Sequence, residues 1–307
     1  MTDRAPPLVH DLAFDPRHGE AVPVGGLVRR LTVRNPSPFT FHGTNTYLVG
    51  HGRIAVIDPG PVDAAHLTAL RAAIGGEEVT HILVTHTHRD HSPGAAALKA
   101  VTGAAVLGAG PHRPSRPPRP GEDARLDASG DLDFVPDRVL ADGEAVAGDG
   151  WTLTALATPG HAANHLAFAL AEEPLLFSGD HVMGWSTSIV APPDGSMADY
   201  MASLAVVAAR PEDRYLPGHG GPIEKARDYV AALAGHRRGR ERAVLDRLAA
   251  GDGTIAEIVG NVYRGLDPAL RGAAALSVLA HVEDLATRGA VAWDGEAGLS
   301  GRLRLAR

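Results

Sequence analysis

The stretch His81-Ile-Leu-Val-Thr-His86-Thr-His88-Arg-Asp90-His91-Ser92-Pro93-Gly94 decides the reading of this chain. Its first part, His81–Thr85, is a compact apolar run that reads as a buried strand. Gly94–Ala100, after Pro93, reads as a helix. Between them lie three histidines and an aspartate. In extended backbone, residues two apart point the same way, so His86 and His88 converge on one point. Asp90 and His91 fall where the chain turns into the helix and face a neighbouring point. Neutral imidazoles with few carboxylates suit a borderline divalent cation that keeps a water bound. The motif supplies donors for two such ions.

The remaining donors belong at other strand ends, and the chain provides them. Thr158-Pro-Gly-His161 follows the strand-like run Trp151–Ala157, Ser178-Gly-Asp180 follows Leu175–Ser178, and Leu216-Pro-Gly-His219 follows Arg214–Leu216. A glycine before each donor allows a sharp turn and a close approach. Asp58, in Val56-Ile-Asp58-Pro-Gly60, also ends a strand and is expected to tie down the histidine loop from behind. His165 is expected to be structural or to stand behind the donors. His181 is left out of the site, because continued strand geometry turns it to the opposite face. His42, His51 and His112 read as ordinary surface residues in turns.

Outward from the motif, short β-rich runs at Leu27–Val33, Thr46–Val49 and Ile54–Ile57 precede it, and Asp63 caps an amphipathic helix. A further strand, Ala104–Leu107, follows it. Strands resume at Trp151–Ala157, Leu166–Leu170 and Leu175–Ser178, with a helix at Asp199–Ala209. This β–α alternation with a mirrored second half predicts two sheets sandwiched between helices. Pro111-His-Arg-Pro-Ser-Arg-Pro-Pro-Arg-Pro120 reads as an exposed polyproline-like loop. Its Arg113, Arg116 and Arg119 are either solvated charges or phosphate contacts. After Pro222 the chain reads as a long charged helix, Ile223–Leu248, carrying Arg237, Arg238, Arg240 and Arg242. Two further helices follow, Ile255–Val262 capped by Thr254 and Pro268–Arg288 opened by Asp267. A hairpin from Ala290–Trp293 and Leu303–Ala306 completes the order of a winged-helix module. The boundary is placed near Gly235, giving domains 1–234 and 235–307.

The chain has 307 residues, 44% of them hydrophobic, which suffices for a large core. It has no cysteine, which excludes disulfides, thiolate ligands and a Cys nucleophile. No apolar run is long enough to span a membrane and the N-terminal residues carry no export signal, so a soluble, cytoplasmic protein is expected. The net charge of −7 argues against a surface built to grip nucleic acid non-specifically.

The strand-end donor set resembles that of the metallo-β-lactamase superfamily. The resemblance implies a four-layer αβ/βα sandwich followed by the winged-helix-like domain. It also implies metal ligands at His86, His88 and His161 for one ion and Asp90, His91 and His219 for the other, with Asp180 bridging. Asn35-Pro-Ser-Pro-Phe-Thr-Phe-His-Gly-Thr-Asn-Thr-Tyr-Leu-Val49, Gly184-Trp185 and Asp199-Tyr-Met-Ala-Ser-Leu204 resemble the lactamase-β-like branch, which includes a single-strand-specific endoribonuclease. The resemblance implies a hydrolase with two divalent ions, zinc first, with manganese or iron also suited to the donors. A metal-bridging hydroxide would be the nucleophile, and Asp90 and Asp180 the catalytic carboxylates, Asp90 orienting the nucleophile or shuttling its proton. The branch points to hydrolysis of single-stranded RNA. Hydrolysis of small thioesters, lactones or acyl conjugates is the alternative, and a nucleic-acid-binding regulator on a retired scaffold a third. The expected partner is an anionic or ester-type substrate, and the C-terminal module is the expected surface for a homodimer.

Overall fold

The computed structural model describes residues 7–120, 122 and 129–306. One mixed sheet holds seven strands in chain order, β1 (Val22–Pro23), β2 (Val28–Thr32), β3 (Asn45–Val49), β4 (Arg53–Ile57), β5 (Glu78–Leu83), β6 (Ala105–Gly108) and β7 (Arg138–Val139). A second holds six, β8 (Ala145–Gly148), β9 (Trp151–Ala157), β10 (Leu166–Leu170), β11 (Leu175–Gly179), β12 (Arg214–Pro217) and β13 (Ile223–Glu224). Neighbours are antiparallel except from β4 to β7 and between β11 and β12. A parallel neighbour needs a crossover. Helices α1 (Ala64–Ile74), α2 (Gly94–Thr102) and α3 (Met197–Ala208) supply three of these.

Side chains alternate between the two faces along the strands and set the layers. On β10, Leu166, Phe168 and Leu170 enter a core shared by both sheets with Trp151, Phe177, Ile57 and Leu83. Ala167 and Ala169 face the other way, toward Tyr200 and Leu204 of α3 and Val230 and Leu233 of a long helix, α4 (Ala226–Ala249). On the opposite flank, Leu70, Ile74 and Leu98 of α1 and α2 cover Ile54, Val56 and Ile82. Strands covered on both faces are buried at every position, as β3, β10 and β11 are. The result is helix, sheet, sheet, helix, as expected.

The C-terminal module has its own core. The second half of α4, α5 (Ile255–Val262), α6 (Arg271–Thr287) and the hairpin β14 (Val291–Asp294) with β15 (Arg302–Leu305) close around Leu248, Ile258, Leu279, Leu285 and Leu303. The Thr254 side chain accepts the Glu257 N–H at the start of α5, and the Asp267 side chain accepts the Ala269 N–H. Position 235 falls inside α4, which runs unbroken from Val230 and Leu233 on the sheet to Val244 and Leu248 in this second core.

Three sequence expectations are corrected. Ile223 does not begin a helix, because Tyr215 pairs with Ile223 and Arg214 with Glu224, so the chain adds an edge strand first. The helix expected over Pro268–Arg288 opens with a separate 3₁₀ turn, Pro268–Leu270. The segment 111–120 is not a solvated linker. Arg116 bridges Glu122 at 2.7 Å and Glu283 of α6 at 2.8 Å, and Arg119 also pairs with Glu283. Prolines keep this strap out of any sheet, while its arginines find carboxylates across the fold. The α4 arginines divide in the same way. Arg237 is 4% exposed, donates to the Ser188 carbonyl and lies over the Tyr200 ring. Arg240 lies over Tyr263, and only Arg238 and Arg242 of the four are exposed. Among the described residues no helix is long and apolar enough to cross a membrane.

Candidate metal centre

The loop after β5 and the ends of β9, β11 and β12 meet at one edge of the sandwich, and all seven expected donors gather there. His88 Nδ1 lies 3.0 Å from His86 Nε2 and 2.9 Å from His161 Nε2. Beside this trio, Asp90 Oδ2 lies 3.3 Å from His91 Nε2 and 3.2 Å from His219 Nε2. Asp180 spans both groups, with Oδ2 3.7 Å from His161 Nε2 and 3.2 Å from His219 Nε2, and Oδ1 3.5 Å from His91 Nε2.

Two glycines show why these turns are specified. A side chain at Gly218 would put its Cβ 2.3 Å from Asp180 Oδ1 and 2.7 Å from His91 Cε1, so only glycine lets β12 deliver His219 so close. Gly160 has φ +138 and its backbone abuts Tyr200, where any Cβ would sit 2.3 Å from Cα.

Each histidine has its far nitrogen fixed, which selects the tautomer and aims the near one. His161 Nδ1–H donates to the Ile189 carbonyl at 2.6 Å, and His219 Nδ1–H to the Gly43 carbonyl at 3.2 Å. His91 Nδ1–H donates to Asp58 Oδ2 at 2.9 Å. Asp58 also accepts from Thr85 N and Thr85 Oγ1, at 2.7 and 2.6 Å. That hydroxyl, its proton given to Asp58, accepts from His86 Nδ1 at 3.0 Å. His88 is anchored by Asp194, whose Oδ2 lies 2.7 Å from Nε2. Asp58 thus bonds to both Thr85 and His91 of the histidine loop. His165 stands behind the donors, receiving the Asp180 N–H on Nε2 at 3.1 Å.

The electrostatics divide the cluster. Burial pushes His86 well below the ordinary imidazole range and His161 down to about 4, the neighbouring histidines adding to the push. Burial also acts on His91 and His219, but the Asp90 and Asp180 carboxylates outweigh it. They leave His91 well above the usual value and lift His219 to about 9. Burial raises Asp90 and Asp180, yet the facing imidazoles win and hold both well below the usual carboxylate range.

The donors fit a divalent cation. His91 Nε2 and Asp180 Oδ1 are buried and complete no hydrogen bond. Lone pairs from His86, His88 and His161 crowd within 4.8 Å of one another, as do those of Asp90, His91 and His219. Imidazole nitrogen with carboxylate oxygen is a borderline-cation donor set.

Several residues around the site were not singled out in the sequence. Asp194, in a Pro-Pro-Asp-Gly turn, is one. Thr44 is another, its Oγ1 donating to Asp90 Oδ2 at 3.2 Å while Asn35 accepts the Thr44 N–H at 2.9 Å. Both belong to the Asn35–Val49 stretch noted for its resemblance. His112 is a correction: it is not a plain surface residue but lies behind the histidine loop, Nδ1 2.8 Å from Thr87 Oγ1. His42 packs on Phe41, while His51 is exposed as expected. His181 stays outside the cluster, fully buried against Tyr200.

Five of the donors, His88, Asp90, His161, Asp180 and His219, line a cleft of about 590 Å³. Phe39, Met183, Ile189, Ala273 and Leu276 are among its walls, the last two from α6 of the C-terminal module.

A two-sheet sandwich with a histidine–aspartate cluster at its strand ends, opening on a substrate-sized cleft, defines a metallo-hydrolase. The metallo-β-lactamase superfamily model matches residues 39–219 and the β-lactamase-associated winged helix domain matches 254–299. The chain belongs to the metallo-β-lactamase superfamily. It is 32% identical over 269 residues to the Beta-lactamase-like protein 2 homolog of Caenorhabditis elegans, covering 86% of this chain and 85% of that one. It is 31% identical to the Atrochrysone carboxyl ACP thioesterase dmxR1 of Cryptosporiopsis sp., over 72% of this chain and 62% of the relative. The crystal structure of a Beta-lactamase domain protein from Burkholderia ambifaria superposes with a TM-score of 0.79 at 24% identity, covering 96% of both chains.

Proposed function

We propose that the protein hydrolyses acyl thioesters with apolar acyl groups, using two divalent ions, zinc first. The observation that carries this reading is the character of the cleft. Beyond the donors its walls are largely apolar, as a pocket for an acyl group requires. Similarity to a relative named as an ACP thioesterase supports the same substrate class. An anionic polymer needs a run of cations beside the site. Among the described residues Arg89 is the one Arg or Lys lining the cleft, and its Nε donates to the Gly130 carbonyl. The strap arginines Arg116 and Arg119 pair with Glu283, and Arg237 of α4 donates to the Ser188 carbonyl.

His86, His88 and His161 would hold one ion and Asp90, His91 and His219 the other, with Asp180 spanning the two. Such ions supply Lewis acidity toward the acyl oxygen and lower the pKa of water toward neutrality. Asp90 is the most exposed of the seven donors, its side chain 27% exposed, and it lines the cleft. Thr44 steadies it, so its carboxylate is placed to orient the attacking water and take its proton. Water oxygen adds to the carbonyl carbon, the C–S bond breaks, and a carboxylate and a thiol leave. Phe39 and Leu276 line the cleft and would flank the acyl group.

Zinc-loaded protein offered thioesters of increasing acyl size, with thiol release followed, should turn them over while labelled single-stranded RNA stays intact. Cleaved RNA with intact thioesters would replace this reading by a phosphodiesterase.

A further inference from the structure

Four of the five histidines in the cluster aim Nε2 at it. His88 alone aims Nδ1. That ring is turned the other way, and its Nε2 meets Asp194 Oδ2 at 2.7 Å. The Asp194 side chain is 8% exposed, and its other oxygen is buried without a hydrogen-bond partner. A carboxylate left so poorly satisfied is retained at a desolvation cost, which a strong bond to one imidazole N–H offsets.

The loop that carries Asp194 is itself fixed. Its Ile189 carbonyl holds His161, so one loop governs two of the three histidines in the trio. Ser115 grips it from the strap, with N and Oγ 2.9 and 2.8 Å from the Pro193 carbonyl and Oγ 3.1 Å from that of Gly195. Any Cβ at Gly195 would lie 2.7 Å from the Gly160 carbonyl, so the loop has little room to shift. The next strap residue, Arg116, is bound to Glu283 on α6.

We propose that Asp194 is a positioning residue that holds His88 with Nδ1 toward the centre, and so sets the affinity and geometry of the three-histidine metal position. This rests on the metallo-hydrolase reading above. Without the carboxylate, the ring is free to rotate about its Cβ–Cγ bond and to present Nε2 at the wrong depth. The aspartate acts through His88, the ring its Oδ2 holds.

The test is cobalt(II) and zinc(II) titration of metal-stripped full-length protein, against a chromophoric chelator and by cobalt absorption. Wild type should bind in two steps. Asp194→Ala should weaken one step by about 10–100-fold and alter the cobalt ligand-field bands. Asp194→Asn, which keeps an acceptor of the same shape, should recover part of the affinity, and it decides the matter if the alanine variant does not fold. Wild-type affinity and spectrum in both variants would overturn the role of Asp194. Wild type that binds neither cation would instead overturn the metal centre itself.

Discussion

The Asp90 half of the donor cluster and the seam between α4 and α6 both withdraw histidines from water, with opposite results. In the cluster, Asp90 and Asp180 lift His91 and His219 against the pull of burial. In the seam, burial is joined by Arg237 and Arg240, and His236 falls to about 4 and His281 to about 3. Burial alone favours the neutral ring in both places, and the sign of the neighbouring charge decides the outcome. One region gathers carboxylates and lone pairs on a shared point. The other uses its charges to lock two modules together.

The contrast predicts separable losses. Asp180→Ala or His161→Ala should lower kcat/KM for a thioester by at least about 10³-fold, matching several kcal/mol of lost transition-state stabilisation. Metal content measured by mass spectrometry should fall with it, and retained turnover would break the distinction. Arg237→Ala should instead cost about 2–4 kcal/mol in denaturant unfolding, from a buried charged hydrogen bond and a cation–π contact. Zinc affinity should fall far less than in the donor variants.

Acid should act on the seam. His281 binds its proton at pH 6.5 when unfolded but only near 3 when folded. Between those values the unfolded chain holds more protons, so stability is full above pH 6.5 and declines as pH falls toward 3. At pH 5 the loss from this residue is about 1–2 kcal/mol, at 1.36 kcal/mol per pKa unit discounted for partial solvation. The difference in unfolding free energy between pH 7 and pH 5 should shrink by that amount in His281→Leu.

Smaller effects sharpen the comparison. Leu276→Trp on α6 narrows the cleft, so kcat/KM for long acyl thioesters should drop about tenfold while acetyl thioesters are spared. Uniform loss would remove α6 from the acyl site. Arg238→Glu and Arg242→Glu, both exposed, should change unfolding free energy by less than about 0.5 kcal/mol and leave turnover alone.

The four layers and the seven donors were legible in the sequence because they follow from local geometry. Short apolar and β-branched runs bounded by glycine and proline mark the strands, and His86, Asp180 and His219 follow the strand ends that place them. Asp194 was not legible. It lies 106 positions from its partner His88, in a stretch that reads as an ordinary turn, and only tertiary packing joins the two. Arg116 was misread for the same reason, since an arginine rich in donors looks alike whether it meets water, phosphate or a distant glutamate. Ile223 was drawn into a helix because its strand is two residues long, too short to show a period.

The unbroken rod of α4 also acts as a ruler. A helix turns by about 100° and advances 1.5 Å per residue. Inserting one amino acid between Leu233 and Val244 would therefore swing the whole C-terminal half around the rod, taking Leu276 from the cleft wall and Glu283 from Arg116. The count of residues along that span is as much a part of the catalytic cleft as any side chain lining it.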